Sequence, residues 1–451
     1  MNITEGKPIQ LFSKYLFAAF GSAIVMSIYS FIDALCIGQY EGEIGTAALA
    51  VVMPLWTIIF STGLLFGIGG ATLMVERRGR GQDKEGNQFY TIAMIGACFF
   101  ALILWILVNI IETPLLTLFG ASDIAVLEKA KKYVFWMKIS LPVFLFSQVL
   151  TCFIRNDGAP LRATIAVISG GVINTILDFS LVFGAKMGIS GAGLATMCGQ
   201  IVNLSVLLSH YFSKKRGIYF VKPVLFLKRS LRIIQTGLPS FVLDIAMGIL
   251  AILFNNQIVR YNEDEKQTAT LAVYGVVCNI VALVQSLGYA VGQATQPLIS
   301  ENLGAGKLNR VSKFLKYAIL TSLIIAGVVV LLLELIPIPI LEMFIRVEED
   351  SLILTIAASI QRKYYISFLF LSFNVLCIYY FQSILKSNIA FIISILRGMF
   401  FSTLFLFVLP LLFGFDAIWF TMLCTEGVIC ILNLIFMWFS RRKQKLIEEW
   451  T

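Results

Sequence analysis

The stretch "GGVINTILDFSLVF", Gly170–Phe183, has the composition of a membrane-spanning helix but carries an aspartate among its apolar residues. Asp178 follows Asn174 by one helical turn, so both side chains lie on the same face of the predicted helix. A charge near the bilayer centre costs about 2.5–3.5 kcal/mol on insertion scales, and such residues usually mark a functional site. The stretch therefore predicts a membrane-spanning helix that contributes to a polar site.

The rest of the chain has the same membrane character. Of its 451 residues 58% are hydrophobic and 14% are charged, with a mean hydropathy of +0.87. Soluble proteins contain about 25% charged residues, and a membrane-spanning helix needs about 20 apolar residues. We predict an all-α polytopic membrane protein with twelve transmembrane helices, near residues 14–38, 47–73, 89–111, 133–153, 162–183, 190–212, 236–259, 269–298, 314–336, 364–385, 389–412 and 416–439.

Lysine and arginine concentrate in alternate connections, which predicts the orientation of the chain. Basic segments include "ERRGRGQDK" at 76–84, the long stretch 213–232 and "SRRKQK" at 440–445, whereas "RYNEDEK" at 260–266 and "IRVEED" at 345–350 are acid-rich. We expect a multi-pass protein of the plasma membrane (the cell inner membrane) with both termini cytoplasmic. The net charge of +9 and the pI near 9.1 then reflect topology and contact with the lipid bilayer, and a nucleic-acid partner is not needed.

The residues that catalysis or metal binding would require are scarce. The eight cysteines are scattered singly, without CxxC or metal-type spacing, and His210 is the only histidine. A haem pair or a three-histidine zinc site is therefore excluded. No span contains an HExxH or GxSxG motif, and there is no nucleotide-binding loop. We expect no enzyme activity, no metal cofactor and no other cofactor.

Four short motifs recur in order, which indicates an internal duplication. "TAALAV" at 46–51 returns as "TATLAV" at 268–273, an offset of 222 residues. One shared offset of 225 residues relates "ERRGRG", "PLLTLF" and "ATMC" at 76, 114 and 195 to "ENLGAG", "PILEMF" and "FTML". The offset covers six spans, so the repeats run parallel. We predict two six-helix lobes at 1–212 and 236–439, a basic cytoplasmic linker at 213–235 and a cytoplasmic tail at 440–451.

The sequence resembles the multidrug and toxic compound extrusion (MATE) family, especially its bacterial DinF-type and related branches. The resemblance is carried by "RNDGAPLRATIAVISGGVINTILDFSLVF" at 155–183, "QPLISENLGAGKLNRV" at 296–311 and "FIDALCIGQYEGEIGTAALAVVMP" at 31–54. It implies a secondary active antiporter that exports organic cations and drugs from the cytoplasm in exchange for H⁺ or Na⁺, by rocking alternating access. It also implies that small lipophilic cations are the substrates.

Buried polar residues of the first half fall at matching depths. At a rise of about 1.5 Å per residue, Asp33 and Asp178 each lie about 7 Å inside the outer boundary, and Thr196 is level with Asn174. Two neighbouring carboxylates cannot both ionise cheaply in a low dielectric, so we expect one to hold a proton or the group to bind Na⁺. The family resemblance implies the same cation- or proton-binding role for these four residues. Alternatively, Asn174 and Thr196 only join helices, and Asp33 is solvated at the interface.

The second half has different polar residues. The offset aligns Asn174 and Asp178 with Met399 and Thr403, so the polar pair is not repeated. Asp244 and Glu426 are secondary candidates for the ion site. Each is equally well explained as structural, and Arg397 is the expected partner of Glu426. An apolar substrate cavity is predicted to include Met53, Trp56, Met247, Tyr274 and Tyr289.

Other functions are weighed against antiport. A flippase for lipid-linked oligosaccharides would share the two-lobe architecture, but it would be expected to carry a strongly cationic cavity for a diphosphate. Arg397 is the only arginine expected to be buried. A receptor or scaffold would not need two carboxylates at matched depth. The protein is expected to act as a monomer.

Overall fold

The computed structural model describes residues 3–121, 123–214, 216–262, 264–336, 339–340 and 352–448, and within these it is helical, without strands. The second-half copy of one repeated motif, at 339–344, lies mostly outside the described residues, as does the last part of the predicted tail. The helices are α1 Pro8–Gly79, α2 Asp83–Leu118, α3 Ile124–Asn156, α4 Pro160–Leu177, α5 Ile189–Leu208, α6 Phe226–Tyr261, α7 Asp264–Gly304, α8 Leu308–Leu335, α9 Leu352–Tyr365, α10 Phe368–Ser383, α11 Ser387–Ile395, α12 Ser402–Phe413 and α13 Thr421–Glu448.

Eleven helical segments of the described chain are long and apolar enough to cross a membrane. The first of them, α1, has 72 residues and contains two of the twelve predicted spans. It is interrupted at Gly42, whose φ of 66° and ψ of −145° lie outside the helical region. Glycine adopts a positive φ without the steric cost that a Cβ would add, so the chain can turn at this position. The predicted all-α membrane architecture is confirmed.

The chain forms two compact units. Unit 1 contains Met1–Phe241, Ala294–Phe314 and Ser383–Leu385. Within it α1 packs against α2, α3 and α4, and α5 packs against both α3 and α4. Unit 2 contains Val242–Gln293, Leu315–Gln382 and Lys386–Thr451, and within it α12 packs against α13. Two π-helical turns interrupt these bundles, Asp178–Gly184 after α4 and Leu396–Phe401 between α11 and α12.

Within unit 1, α1 and α6 approach each other backbone to backbone at a pair of glycines. A methyl group added to Gly237 would overlap the carbonyl group of Leu65, and one added to Gly69 would overlap the carbonyl oxygen of Ile233. Small residues allow helices in membranes to come this close and so gain van der Waals contact.

We expect Gly237→Ala to lower the free energy of unfolding by about 1–3 kcal/mol, because the added methyl group must force the two helices apart. Gly248→Ala, in the same helix, is the matched control, since nothing lies within 4 Å of the position that its Cβ would take. That control should be neutral or should stabilise by up to about 1 kcal/mol through helix propensity. Thermal unfolding in detergent measures both, and equal stabilities would contradict the close-packing interpretation.

The predicted linker contains an extended segment that is fixed along α2. Backbone N–H groups of Gly217, Tyr219 and Val221 donate hydrogen bonds to Asp157 Oδ2 (2.8 Å), Asn87 Oδ1 (2.9 Å) and Thr91 Oγ1 (3.0 Å). Asn87 also donates to the Gly217 carbonyl at 3.0 Å. These bonds satisfy alternate backbone groups that have no partner in a helix or a sheet. We call residues 217–221 the strap.

Asp157 lies between the strap and two basic side chains. Its carboxylate accepts hydrogen bonds from Arg78 Nη1 and from His210 Nε2, both at 2.7 Å. Arg162 Nη1 lies 3.1 Å from His210 Nδ1, which leaves Nε2 to carry the proton. Burial alone would raise the pKa of Asp157, but the bonds from His210, Arg78 and Gly217 lower it overall. The lone histidine is thus part of the attachment of the strap.

A lowered carboxyl pKa makes the stability of the strap pH-dependent. The ionised Asp157 stabilises the fold fully above the ordinary value near 3.8, and this contribution is lost as the pH falls through the lowered value. At neutral pH we expect Asp157→Asn to reduce the free energy of unfolding by about 1.5–3 kcal/mol. The difference from the wild type should shrink as unfolding is measured at lower pH. A difference that does not change with pH would contradict this role of the charge.

Candidate ion-binding site

Asp33 on α1 and Asp178 at the end of α4 face each other inside unit 1. Asp33 is 8% exposed and Asp178 is fully buried, and their carboxyl groups lie within hydrogen-bonding reach of each other. Among the described residues, no donor reaches either oxygen of Asp178 or the Oδ1 of Asp33. Ionised carboxylates have only acceptor atoms, so this pair is satisfied only when a proton or another cation lies between or beside the two groups.

Three further polar side chains connect the acids to neighbouring helices. The Tyr133 hydroxyl on α3 donates to Asp33 Oδ2 at 3.4 Å and lies 3.5 Å from Thr196 Oγ1 on α5. Asn174 on α4 donates to the same hydroxyl oxygen of Thr196 at 3.3 Å. These distances are long for hydrogen bonds. The oxygens of Asp33, Tyr133 and Thr196 are therefore close enough to bind one ion together, but strong hydrogen bonds do not fix them to one another.

The backbone at Asp178 departs from a regular α-helix. Residues 178–184 form a π-helical turn that continues α4. Such turns insert one extra residue into a helix and are frequent at functional sites. Here the turn begins at the buried acid itself.

A small cavity in unit 1 is lined by Asn174 and Thr196, two of the polar residues that connect the acids to neighbouring helices. Its volume is about 20 Å³, and its lining includes Asn174, Thr196, Gln148, Gln200 and Asn203. This volume can hold a single water molecule. The Oδ1 atoms of Asn174 and Asn203 are buried and have no donor among the described residues. The cavity is thus rich in oxygen acceptors, which suits water, a hydrated proton or Na⁺.

Asp244 lies in unit 2 and is only partly satisfied. The Tyr289 hydroxyl donates to Asp244 Oδ1 at 2.6 Å, and Gln285 donates to that hydroxyl at 2.5 Å. Asp244 Oδ2 is buried without a donor among the described residues. This single acid has a free acceptor, but no second carboxylate in the described structure contacts it.

Glu426, also in unit 2, is fully paired. Arg397 contacts Glu426 Oε1 at 2.6 and 2.9 Å and Oε2 at 3.1 Å. Asn374 donates to Oε2 at 2.7 Å, and Asn433 donates to Asn374 at 2.9 Å. Both carboxylate oxygens are occupied, so this cluster has the geometry of a buried structural ion pair. The pairing with Arg397 agrees with the sequence interpretation.

The predicted substrate-cavity residues have different environments. In unit 1, Met53 is exposed, and the Trp56 ring packs edge-on against Phe144, with centroids 4.8 Å apart. In unit 2, Tyr274 is buried and stacks on Phe254 at 5.0 Å. Met247 is partly exposed, and Tyr289 bonds to Asp244 as described above. Of the predicted cavity residues, Tyr274 is therefore a packing residue, whereas Met53 and Met247 are accessible.

Tyr133 is a site residue that was not predicted from the sequence. It is the first residue of the predicted fourth span, at the outer boundary and about 7 Å from the depth predicted for Asp33 and Asp178. Extending that argument from acids and amides to tyrosine hydroxyls would have found it. The π-helical turn has no comparable sequence signal.

Comparison with known proteins agrees with this architecture. A family model described as MatE matches residues 18–180 and 267–408. The multidrug export protein MepA of Staphylococcus saprophyticus is 25% identical over 433 residues, covering 93% of this chain and 91% of the relative. A MOP superfamily transporter from Pyrococcus furiosus has a TM-score of 0.88 at 19% identity, covering 98% and 97% of the two chains. An outward-facing multidrug resistance MATE family transporter also has a TM-score of 0.88 at 19% identity, with 98% of each chain covered.

The matched family and the multidrug export relatives identify a polytopic helical membrane transporter, not an enzyme. The two matched stretches lie in the two halves of the sequence and together cover most of it. The chain belongs to the MatE family. The family expected from the sequence motifs is thereby confirmed.

Proposed function

We propose that the protein exports small lipophilic cations from the cytoplasm in exchange for H⁺ or Na⁺. The proposal rests above all on the Asp33–Asp178 pair, in which two buried carboxyl groups from separate helices face each other without enough donors. The name of the MepA relative, a multidrug export protein, supports the substrate class. In this proposal the protein acts as a monomer in the plasma membrane with both termini in the cytoplasm.

The proposed cycle uses the change of charge at this pair. An ion that arrives from outside neutralises one carboxylate, which reduces the repulsion between Asp33 and Asp178 and alters the packing of α1 against α4. The substrate is then released to the outside. After the ion-loaded protein has rocked to the inward-facing state, the ion leaves to the cytoplasm and the next cation binds. Tyr133 and Thr196 act as positioning residues by holding the oxygens of the site together.

The number of ions per cycle decides the driving force. Exchange of one proton for one monovalent cation moves no net charge, so a pH gradient alone drives it with about 1.4 kcal/mol per pH unit. A second ion would add about 2.3 kcal/mol per 100 mV of membrane potential. We favour one ion, because Asp33 and Asp178 form a single site and the described residues contain no second facing pair of acids.

Flippase activity is the less favoured alternative. Besides Arg397, Arg155 at the end of α3 is buried, which corrects the expectation that Arg397 is the only buried arginine. Arg155 lies in the last turn of α3, where the connection to α4 begins. Arg397 is neutralised by Glu426. Within the described residues, the buried arginines are therefore one neutralised side chain and one at a helix end, which is not the strongly cationic cavity that a diphosphate would need.

The test is transport of the fluorescent cation ethidium by the purified protein in proteoliposomes. Imposing pH and Na⁺ gradients separately identifies the coupling ion. We expect ethidium to accumulate against its gradient with one of the two ions, about tenfold per tenfold ion gradient for one-to-one exchange. Absence of accumulation with either gradient would overturn the proposal.

A further inference from the structure

The strap and the first two turns of α6 form a surface that faces away from unit 1. We propose that this surface, residues 217–232, binds the anionic headgroups of phospholipids at the end of the helices where the linker lies. The partner is a lipid surface that combines phosphate charge with acyl chains. We call this surface the linker surface.

The helical phase of α6 separates its protein-facing side from its outward side. At about 100° per residue, Arg229, Ile233 and Thr236 share one face, on which Ile233 and Thr236 are buried. Arg229 lies over the Phe89 ring at 5.4 Å, which completes the contact with α2. The remaining side chains of these two turns therefore face outward.

Two chemically different stripes occupy the outward side. Leu227 and Leu231 are 73% and 53% exposed, and one helical turn separates them. Lys228 and Arg232 form the neighbouring stripe, also one turn apart and exposed. Helix α6 has 36 residues, about 54 Å, whereas the hydrocarbon core is roughly 30 Å thick. Its first turns can therefore lie in the headgroup region, where leucine reaches acyl chains and the cations reach phosphates.

The strap places a third cation beside these stripes. Ile218 is buried, and Phe220, on the same side of this extended segment, packs against Tyr90 with the ring centroids 5.1 Å apart and is still 59% exposed. The strap is thus buried at Ile218 and reaches the exterior at Phe220. Lys222 follows the strap and is exposed. Because the backbone of the strap is held by Asn87, Thr91 and Asp157, this side of the surface is ordered before any lipid binds. Such preorganisation reduces the entropic cost of binding.

The positive charge of the linker surface indicates an anionic partner. Between Ser213 and Leu243 the sequence has seven basic residues and no acidic one. Among the described residues, Lys222, Lys228 and Arg232 form no ion pair, whereas Arg229 approaches Glu85 at 3.9 Å. Clusters of lysine and arginine next to a membrane-spanning helix attract anionic lipids. The exposed leucine and phenylalanine side chains favour a lipid over a soluble phosphate.

The test compares two triple variants of the full-length protein. The linker-surface variant removes the three unpaired cations of that surface by Lys222→Gln, Lys228→Gln and Arg232→Gln. The control variant removes three exposed cations from other parts of the chain by Lys132→Gln, Lys186→Gln and Lys266→Gln. Each protein is purified in phosphatidylcholine–detergent micelles and titrated with phosphatidylglycerol. Bound lipid is counted by native mass spectrometry, and the unfolding midpoint is measured in parallel.

We expect the linker-surface variant to bind phosphatidylglycerol about tenfold to a hundredfold more weakly than the wild type. It should also lose most of the lipid-induced rise in the unfolding midpoint, while the control variant retains both. Equal losses in the two variants, or equal binding of phosphatidylcholine, would overturn the proposal. Inorganic phosphate that raised the midpoint as much as phosphatidylglycerol would overturn the lipid as partner.

Discussion

Replacing Asp178 by asparagine is expected to abolish ion-driven transport while the protein remains folded. The amide has nearly the shape of the carboxyl group but can neither release a proton nor supply the charge that attracts Na⁺. Accumulation of ethidium should therefore fall from about tenfold per pH unit, or per tenfold Na⁺ gradient, to none. The assay is transport in proteoliposomes with the gradient imposed at the start.

Stability separates this result from simple misfolding. Both oxygens of Asp178 are buried without a donor among the described residues, so we expect the amide to leave the unfolding midpoint unchanged or higher, because it buries no unpaired charge. Glu43→Gln, which removes an exposed acid near the bend of α1, is the matched control and should transport as the wild type does. Full transport by Asp178→Asn would remove this residue from the site.

Glu426→Gln is expected to have the largest effect on stability. The substitution leaves the guanidinium of Arg397, which is 2% exposed, without its charged partner. Breaking one side of a buried ion pair costs about 3–5 kcal/mol, since the remaining charge is desolvated and uncompensated. Thermal unfolding in detergent should show this loss, together with a lower yield of folded protein.

A double variant tests whether the pair acts as one unit. Combining Glu426→Gln with Arg397→Gln removes both charges, so the double variant should be more stable than the single Glu426→Gln protein. Asp244→Asn is a useful comparison in the same unit. Among the described residues Tyr289 is the one donor to Asp244, so this variant should lose little stability. A Glu426→Gln protein that unfolds like the wild type but no longer transports would show that Glu426 belongs to the ion site.

Hydropathy was sufficient to predict the spans, because the bilayer selects segments of a fixed length that are continuously apolar. It was not sufficient to show how the first two spans are connected. They form one interrupted helix, and the interruption depends on the positive φ of Gly42. The glycines of "YEGEIG" indicate that such a bend is permitted, but the sequence does not distinguish Gly42 from Gly45 as its position.

The depth argument placed Asp33, Asp178, Asn174 and Thr196 at similar levels, and the structure brings their helices together in unit 1. Depth says nothing about rotation around a helix axis, so it could not show that Asp33 and Asp178 face each other. It also gave no indication of the cavity lined by Asn174 and Thr196, since a void depends on how side chains from several helices fit together.

The polar residues of the second half could be listed from the sequence but not assigned. Asp244 and Glu426 are both acids within apolar spans, and composition does not distinguish them. The distinction comes from their partners: in the described part of the chain Glu426 contacts Arg397 and Asn374, whereas Asp244 contacts Tyr289 alone. The linker presented the same difficulty: its charge was evident, but the hydrogen bonds of the strap depend on Asn87 and Asp157, which are distant in sequence.

The most direct test of the central claim is the release of ions when substrate binds. Purified protein in weakly buffered detergent is mixed with ethidium, proton release is followed with a pH-indicator dye, and the loss of bound radioactive Na⁺ is measured in parallel. We expect the wild type to release about one H⁺ or one Na⁺ per protein, and Asp33→Asn and Asp178→Asn to release neither. Equal release by the wild type and both variants would show that the coupling ion binds elsewhere.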